Sequence, residues 1–166
     1  GMTVINPCDY NQTKAATIAI AKHVGPVYLR FGRPKVPIFI PEDQPFIIGE
    51  ALHLTEGSDV SIFATGHLVW KSLEAAKELE KEGISVEVIN IHTIKPLDAN
   101  AIIASAKKTG AVVSAEEHQK AGGLGESIAQ VLATNNPTPM EFVAVNDSFG
   151  ESATPDELMT KYGLDT

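Results

Sequence analysis

With 166 residues, 43% of them apolar, and a net charge of -8, the chain has room for one sizeable core and no compositional sign of disorder. Its acidity, with no basic run longer than pairs such as Lys107-Lys108, argues against nucleic acid or an anionic membrane surface as a partner. The lone cysteine, Cys8, excludes an internal disulfide and suits a reducing compartment. No signal peptide or membrane-length apolar run is visible, so the expectation is a soluble, cytoplasmic chain.

Thr3–Ile5 reads as a short strand. Asp9 is placed to cap a following helix, with Gln12 at the reciprocal capping-box position. That helix is predicted to run to about Lys22 and to bury Ala16 and Ile20, before Gly25-Pro26 turns the chain into a strand over 27–31. One β-α-β unit cannot cover both faces of its own sheet, so this first part reads as incomplete. Pro34, Pro37, Pro41 and Pro45 follow in one short run. Such density fixes φ and removes donors, predicting an extended connector over 34–45.

From Phe46 onward strands and helices alternate. Residues 60–64 are predicted as a strand, followed by a helix with Val69, Leu73, Ala76 and Leu79 on one side and Gly83 at its end. A strand is expected over 84–89. A helix opened by Pro96 and Asp98 and closed by Gly110 comes next, then a strand at Ala111, Val112 and Val113, and another near 142–145. The last helix carries Thr154 as N-cap, Pro155 in its first turn, Glu157 completing a capping box, and Gly163 at its end. Repeated β-α units predict an α/β fold, a mainly parallel sheet flanked by helices.

The stretch 116–127 leaves that strand, crosses Gly122, Gly123 and Gly125, and enters a helix. Exposed N–H groups there could hold an anion, but no dinucleotide or P-loop spacing is present. A tight turn for close packing is the preferred reading. Glu116, Glu117 and His118 could serve as acid, base or ligands. Neighbours on an extended strand point to opposite faces, however, so the two acids do not share a site unless the strand has ended. Hydrogen bonding to neighbouring loops is preferred for them. His53, His67 and His92 read as incidental, Trp70 and Tyr162 as packing residues. The mixed charges from Lys71 to Glu82 read as a solvated helix face. Arg30 and Arg33 close their strand just before the prolines. Their forked guanidinium groups suit a phosphate or an interdomain ion pair, and spacing leaves both open.

Taken in order, several segments resemble the C-terminal half of a transketolase-type thiamine diphosphate enzyme. They are 1–4 with Asn6-Pro7 and Asp9; 25–30 with Arg33; 64–66; 93–98; Glu117-His118 with 122–126; and above all 147–152 with 154–158 and 161–164. The resemblance implies the end of a pyrimidine-binding domain over 1–33, a linker over 34–45, and a transketolase C-terminal domain over 46–166. It implies transfer of a two-carbon ketol unit between ketose and aldose phosphates in carbohydrate metabolism (the pentose phosphate pathway) by a homodimeric enzyme. Thiamine diphosphate and Mg2+ would be held by N-terminal and middle-domain residues absent from this chain. None is expected to bind this chain, which alone is expected to be inactive and to serve structure and assembly. Arg33 matches an arginine that grips the substrate's terminal phosphate; no other catalytic, cofactor or metal residue transfers. The alternatives are a deoxyxylulose phosphate synthase, a 2-oxo acid dehydrogenase β subunit, and a stand-alone anion-binding α/β module.

Overall fold

The computed structural model describes residues 1–165 and places their strands in two sheets. Thr166, the last residue of the expected 46–166 unit, lies outside the described residues. In the smaller sheet β1 (Thr3–Ile5) lies between β2 (Val27–Leu29), parallel to it, and β6 (Thr93–Lys95), antiparallel. Helix α1 (Tyr10–Ile20) links β1 to β2. Because β6 comes from the middle of the chain, this sheet stitches the first residues to the rest.

Asp9 caps α1, accepting from Gln12 N at 2.8 Å, since a short carboxylate reaches an orphan N–H of the first turn. The expected reciprocal bond is displaced. Gln12 Oε1 instead accepts from Cys8 N at 2.9 Å and Asn90 Nδ2 at 3.0 Å, because the Gln12 side chain is buried against a second polar group. The helix ends at Ile20, short of Lys22, where Lys22 N and His23 N turn to i→i+3 bonds with Ala19 O and Ile20 O. Ile20 is only half-buried, whereas Ala16 is fully buried. The proline run forms neither helix nor strand, yet it is anchored. Phe39 N and Ile40 N donate to Asp9 Oδ2 at 2.9 and 2.8 Å, and Ile40 is buried.

The larger sheet has the order β3-β5-β4-β7-β8. Strands β4 (Val60–Ala64), β5 (Val86–Asn90), β7 (Val112–Gln119) and β8 (Met140–Val145) are parallel, and β3 (Leu52–Thr55) is an antiparallel edge. Alternation of side chains divides the core. Ile62, Ala64 and Val88 pack with α2 (Leu68–Lys81) and with Met159 of α5 (Pro155–Lys161). Phe63, Ile89 and Val112 pack with α3 (Ala99–Thr109) and α4 (Leu124–Asn135) through Ile102, Ile128 and Leu132. The β4, α2 and α3 boundaries and the capping box of α5 match expectation. Strands β3 and β6 were not expected, and β2 stops at Leu29. Strand β7 runs well past its apolar start, so Glu116, Glu117 and His118 lie within it. No helix among the described residues is long and apolar enough to cross a membrane.

Candidate functional site

Because β7 continues through the acids, its pleat sends them apart. Glu116 is buried, and its carboxylate accepts from Leu124 N at 2.7 Å and Gly125 N at 2.8 Å, the first N–H groups of α4. The anion at this helix N-terminus is therefore the chain's own. A Cβ on Gly123 would collide with that carboxylate, and one on Gly125 would lie 2.5 Å from Phe142 Cδ1 and 2.6 Å from Ser114 Oγ. The glycines thus let α4 seat closely on β7 and β8. Burial raises the Glu116 pKa above the ordinary carboxylate value, opposed by the two N–H bonds.

Glu117 faces the other way. One oxygen lies 3.5 Å from Arg30 Nη2 and the other 3.1 Å from His67 Nδ1. Burial works against its charge, but the bond from His67 and the positive charges around it outweigh that, and its pKa falls below the ordinary value. The ion pair read as one option for Arg30 is present, with Glu117 of the central sheet as its partner. His67, read as incidental, is part of this cluster. Its only sequence signal was position: it follows β4, at the carboxyl end of a strand adjacent to β7, where open α/β sheets gather ligands.

His67 also lines a cleft of about 510 Å³, with Cys8, Asp9, Gly32, Lys35 and Val36. A Cβ on Gly32 would stand 2.5 Å from both Cε1 and Nε2 of His67, so Gly32 packs directly against the ring where no side chain would fit. Arg33, the next residue, is exposed and has no hydrogen-bond or ion-pair partner among the described residues.

His118 stays apart from this cluster. Its Nδ1 is 3.8 Å from Glu116 Oε2, and burial, assisted by the Arg30 charge, lowers its pKa to about 4. Its Nε2 and the Asn6 Nδ2 are buried without partners, and both residues border a second cleft of about 380 Å³ beside Tyr28 and Gly122. His53 pairs with the buried Glu87 at 3.5 Å, while His92 packs on the Phe46 ring at 4.2 Å. Trp70 packs against Phe39 and under Lys77, as a structural residue should. Among the described residues no group of three or more His, Cys, Asp or Glu could hold a metal ion.

Known proteins share this architecture. A family model described as transketolase, C-terminal domain, matches residues 49–166. The chain is 47% identical to a 6-deoxy-6-sulfo-D-fructose transketolase subunit of Clostridium sp. (strain MSTE9), across 99% of this chain and 51% of that protein. It is 34% identical to an apulose-4-phosphate transketolase subunit of Phocaeicola vulgatus, across 99% of this chain and 53% of that protein. A 1-deoxy-D-xylulose-5-phosphate synthase of Geobacter sulfurreducens matches at 35% identity, across 99% of this chain and 26% of that protein. A solved split-gene transketolase, described as an inactive β4 tetramer, superposes with a TM-score of 0.96 at 48% identity, covering 99% of this chain and 54% of that one. The chain thus spans about half the length of the transketolase subunits it matches. With the family model covering well over half of the residues and the structural match reaching across nearly all of them, the chain belongs to the transketolase C-terminal domain family.

Proposed function

We propose that the chain is the C-terminal portion of a transketolase, which moves a two-carbon ketol unit from a ketose to an aldose that ends in a strong anion. The observation that carries this reading is the match of the whole chain, at 48% identity and a TM-score of 0.96, to about half of a split-gene transketolase. Residues 1–33 close a pyrimidine-binding domain, 34–45 link, and 46–166 form the C-terminal domain. The chain works in the cytoplasm, in a homodimer of the complete enzyme.

Thiamine diphosphate, with Mg2+, would supply the carbanion chemistry of such an enzyme. The residues of this chain do not fit that group. Those described offer no metal-ligand cluster, and the first N–H groups of α4 already serve Glu116. The cofactor is therefore assigned to other polypeptide. What this chain contributes is Arg33. The two named relatives act on sugars bearing a sulfonate or a phosphate, and an exposed, unpaired guanidinium suits either anion through parallel charge-assisted bonds.

Calorimetry on the isolated chain tests the reading. Titration with thiamine diphosphate and Mg2+ is expected to give no binding, and no ketol transfer is expected from the chain alone. Tight magnesium-dependent binding would refute it. A second reading, deoxyxylulose phosphate synthase, is favoured by the 35% identity to the Geobacter enzyme. Formation of 1-deoxy-D-xylulose 5-phosphate by the complete enzyme would select it.

A further inference from the structure

The cluster of Glu117, His67 and Arg30 does more than join elements. At 3.1 Å the Glu117 carboxylate accepts from His67 Nδ1, which holds a ring proton on that nitrogen. In the neutral ring this leaves a lone pair on Nε2. The atom has no hydrogen-bond partner among the described residues, and it is not among the buried unpartnered atoms. His67 lines the cleft of about 510 Å³, as does Gly32, which packs against its ring with no room for a Cβ. The residue after Gly32 is Arg33, unpaired and exposed, and Lys35 lines the same cleft. An oriented acceptor thus lines the same cleft as Lys35, with exposed Arg33 one residue beyond Gly32, on the carboxyl side of β2 and β4.

We infer that His67 is a substrate-binding residue of this cleft, its Nε2 accepting a hydrogen bond from a hydroxyl of a polyhydroxylated ligand whose anionic end meets Arg33. Glu117 is the positioning residue that sets the His67 tautomer, and Arg30 braces Glu117 from the far side. The inference rests on the reading of Arg33 as an anion-binding residue.

The test uses the full chain, labelled with 15N, and follows the His67 ring nitrogens and the Arg33 side chain by NMR. In the free chain His67 is expected as the Nδ1–H tautomer; an Nε2–H tautomer overturns the proposal. Glu117→Gln should mix the two tautomers, which a purely structural carboxylate would not predict. Fructose 6-phosphate is expected to shift both Arg33 and His67 Nε2, and inorganic phosphate Arg33 alone. His67→Ala should keep the Arg33 response while weakening fructose 6-phosphate about five- to tenfold, the worth of one hydrogen bond. Gly32→Ala should weaken it similarly, and His67→Gln, which retains an acceptor, should recover part of the loss. If both probes shift Arg33 and neither shifts His67, this inference fails and the Arg33 reading stands. If neither probe shifts Arg33, that reading fails and takes the inference with it.

Discussion

Replacing Glu116 with alanine removes the acceptor that completes the start of α4, and the structure sets the size of the effect. The carboxylate is 2% exposed and accepts two short bonds, 2.7 Å from Leu124 N and 2.8 Å from Gly125 N. Bonds to a charged acceptor contribute about 1.5–3 kcal/mol each, and a buried N–H left unmet costs about 1–3 kcal/mol. The helix N-terminus adds a favourable interaction of about 0.3–1 kcal/mol with the negative charge. Against this, the truncation relieves the desolvation that raises the Glu116 pKa. The net expectation is a loss of roughly 2–5 kcal/mol, which for a chain of this size lowers Tm by roughly 5–15 °C. Glu116→Gln keeps the volume and one acceptor oxygen, so its loss should be about half as large. Urea and thermal unfolding of the three proteins at pH 7, with hydrogen exchange at the Leu124 and Gly125 amides, measures both the total and its location. If Glu116→Ala unfolds at the same temperature as the parent and those amides remain protected, the carboxylate does not cap α4.

Two further outcomes follow from the electrostatics. His92 is buried, and burial, only partly opposed by Asp98, lowers its pKa from 6.5 to about 4. Between those values the unfolded chain takes up a proton that the folded chain refuses, so stability falls as pH drops through this window by roughly 3 kcal/mol. His118 acts in the same window. His92→Leu should therefore flatten the stability profile between pH 6.5 and 4 by about half, and an unchanged slope in denaturant midpoints would contradict the account. A double-mutant cycle on Arg30→Ala and Glu117→Ala should return a coupling of about 0.5–1 kcal/mol that shrinks with added salt, as expected for a partly exposed pair 3.5 Å apart. A coupling of zero at low salt would mean that the contact does not tie β2 to β7.

Long periodic segments were legible in the sequence. The short apolar run of β4, the apolar stripe of α2, the Asp98 and Gly110 ends of α3, and the capping box of α5 all rest on local chemistry, and all are found. Strands β3 and β6 escaped because they are three or four residues long and owe their pairing to distant partners, β5 and β1. The opposed directions of Glu116 and Glu117 followed from strand geometry alone. The direction of His67 did not. Nothing in a Thr-Gly-His turn states that a glutamate some fifty positions later will take its Nδ1; that contact exists because β4 and β7 pair in parallel, Ala64 opposite Ala115.

The same pairing explains why two adjacent carboxylates could differ so fully in role. Ala64 aligned with Ala115 brings the end of β4 level with the first acid of β7, so the turn at 65–67 starts from the sheet beside Glu116 and Glu117. The pleat then assigns one acid to each side of that rim. Glu116 points toward α4 and meets backbone N–H groups that need an anion and leave no room for one from solution. Glu117 points toward β2 and α2 and meets two cationic or protonatable side chains that neutralise it. Shifting the β7 register by one residue would exchange these environments. It would place a charge without N–H partners beneath α4 and leave Arg30 and His67 unpaired, so both acids hold the register as well as their own contacts.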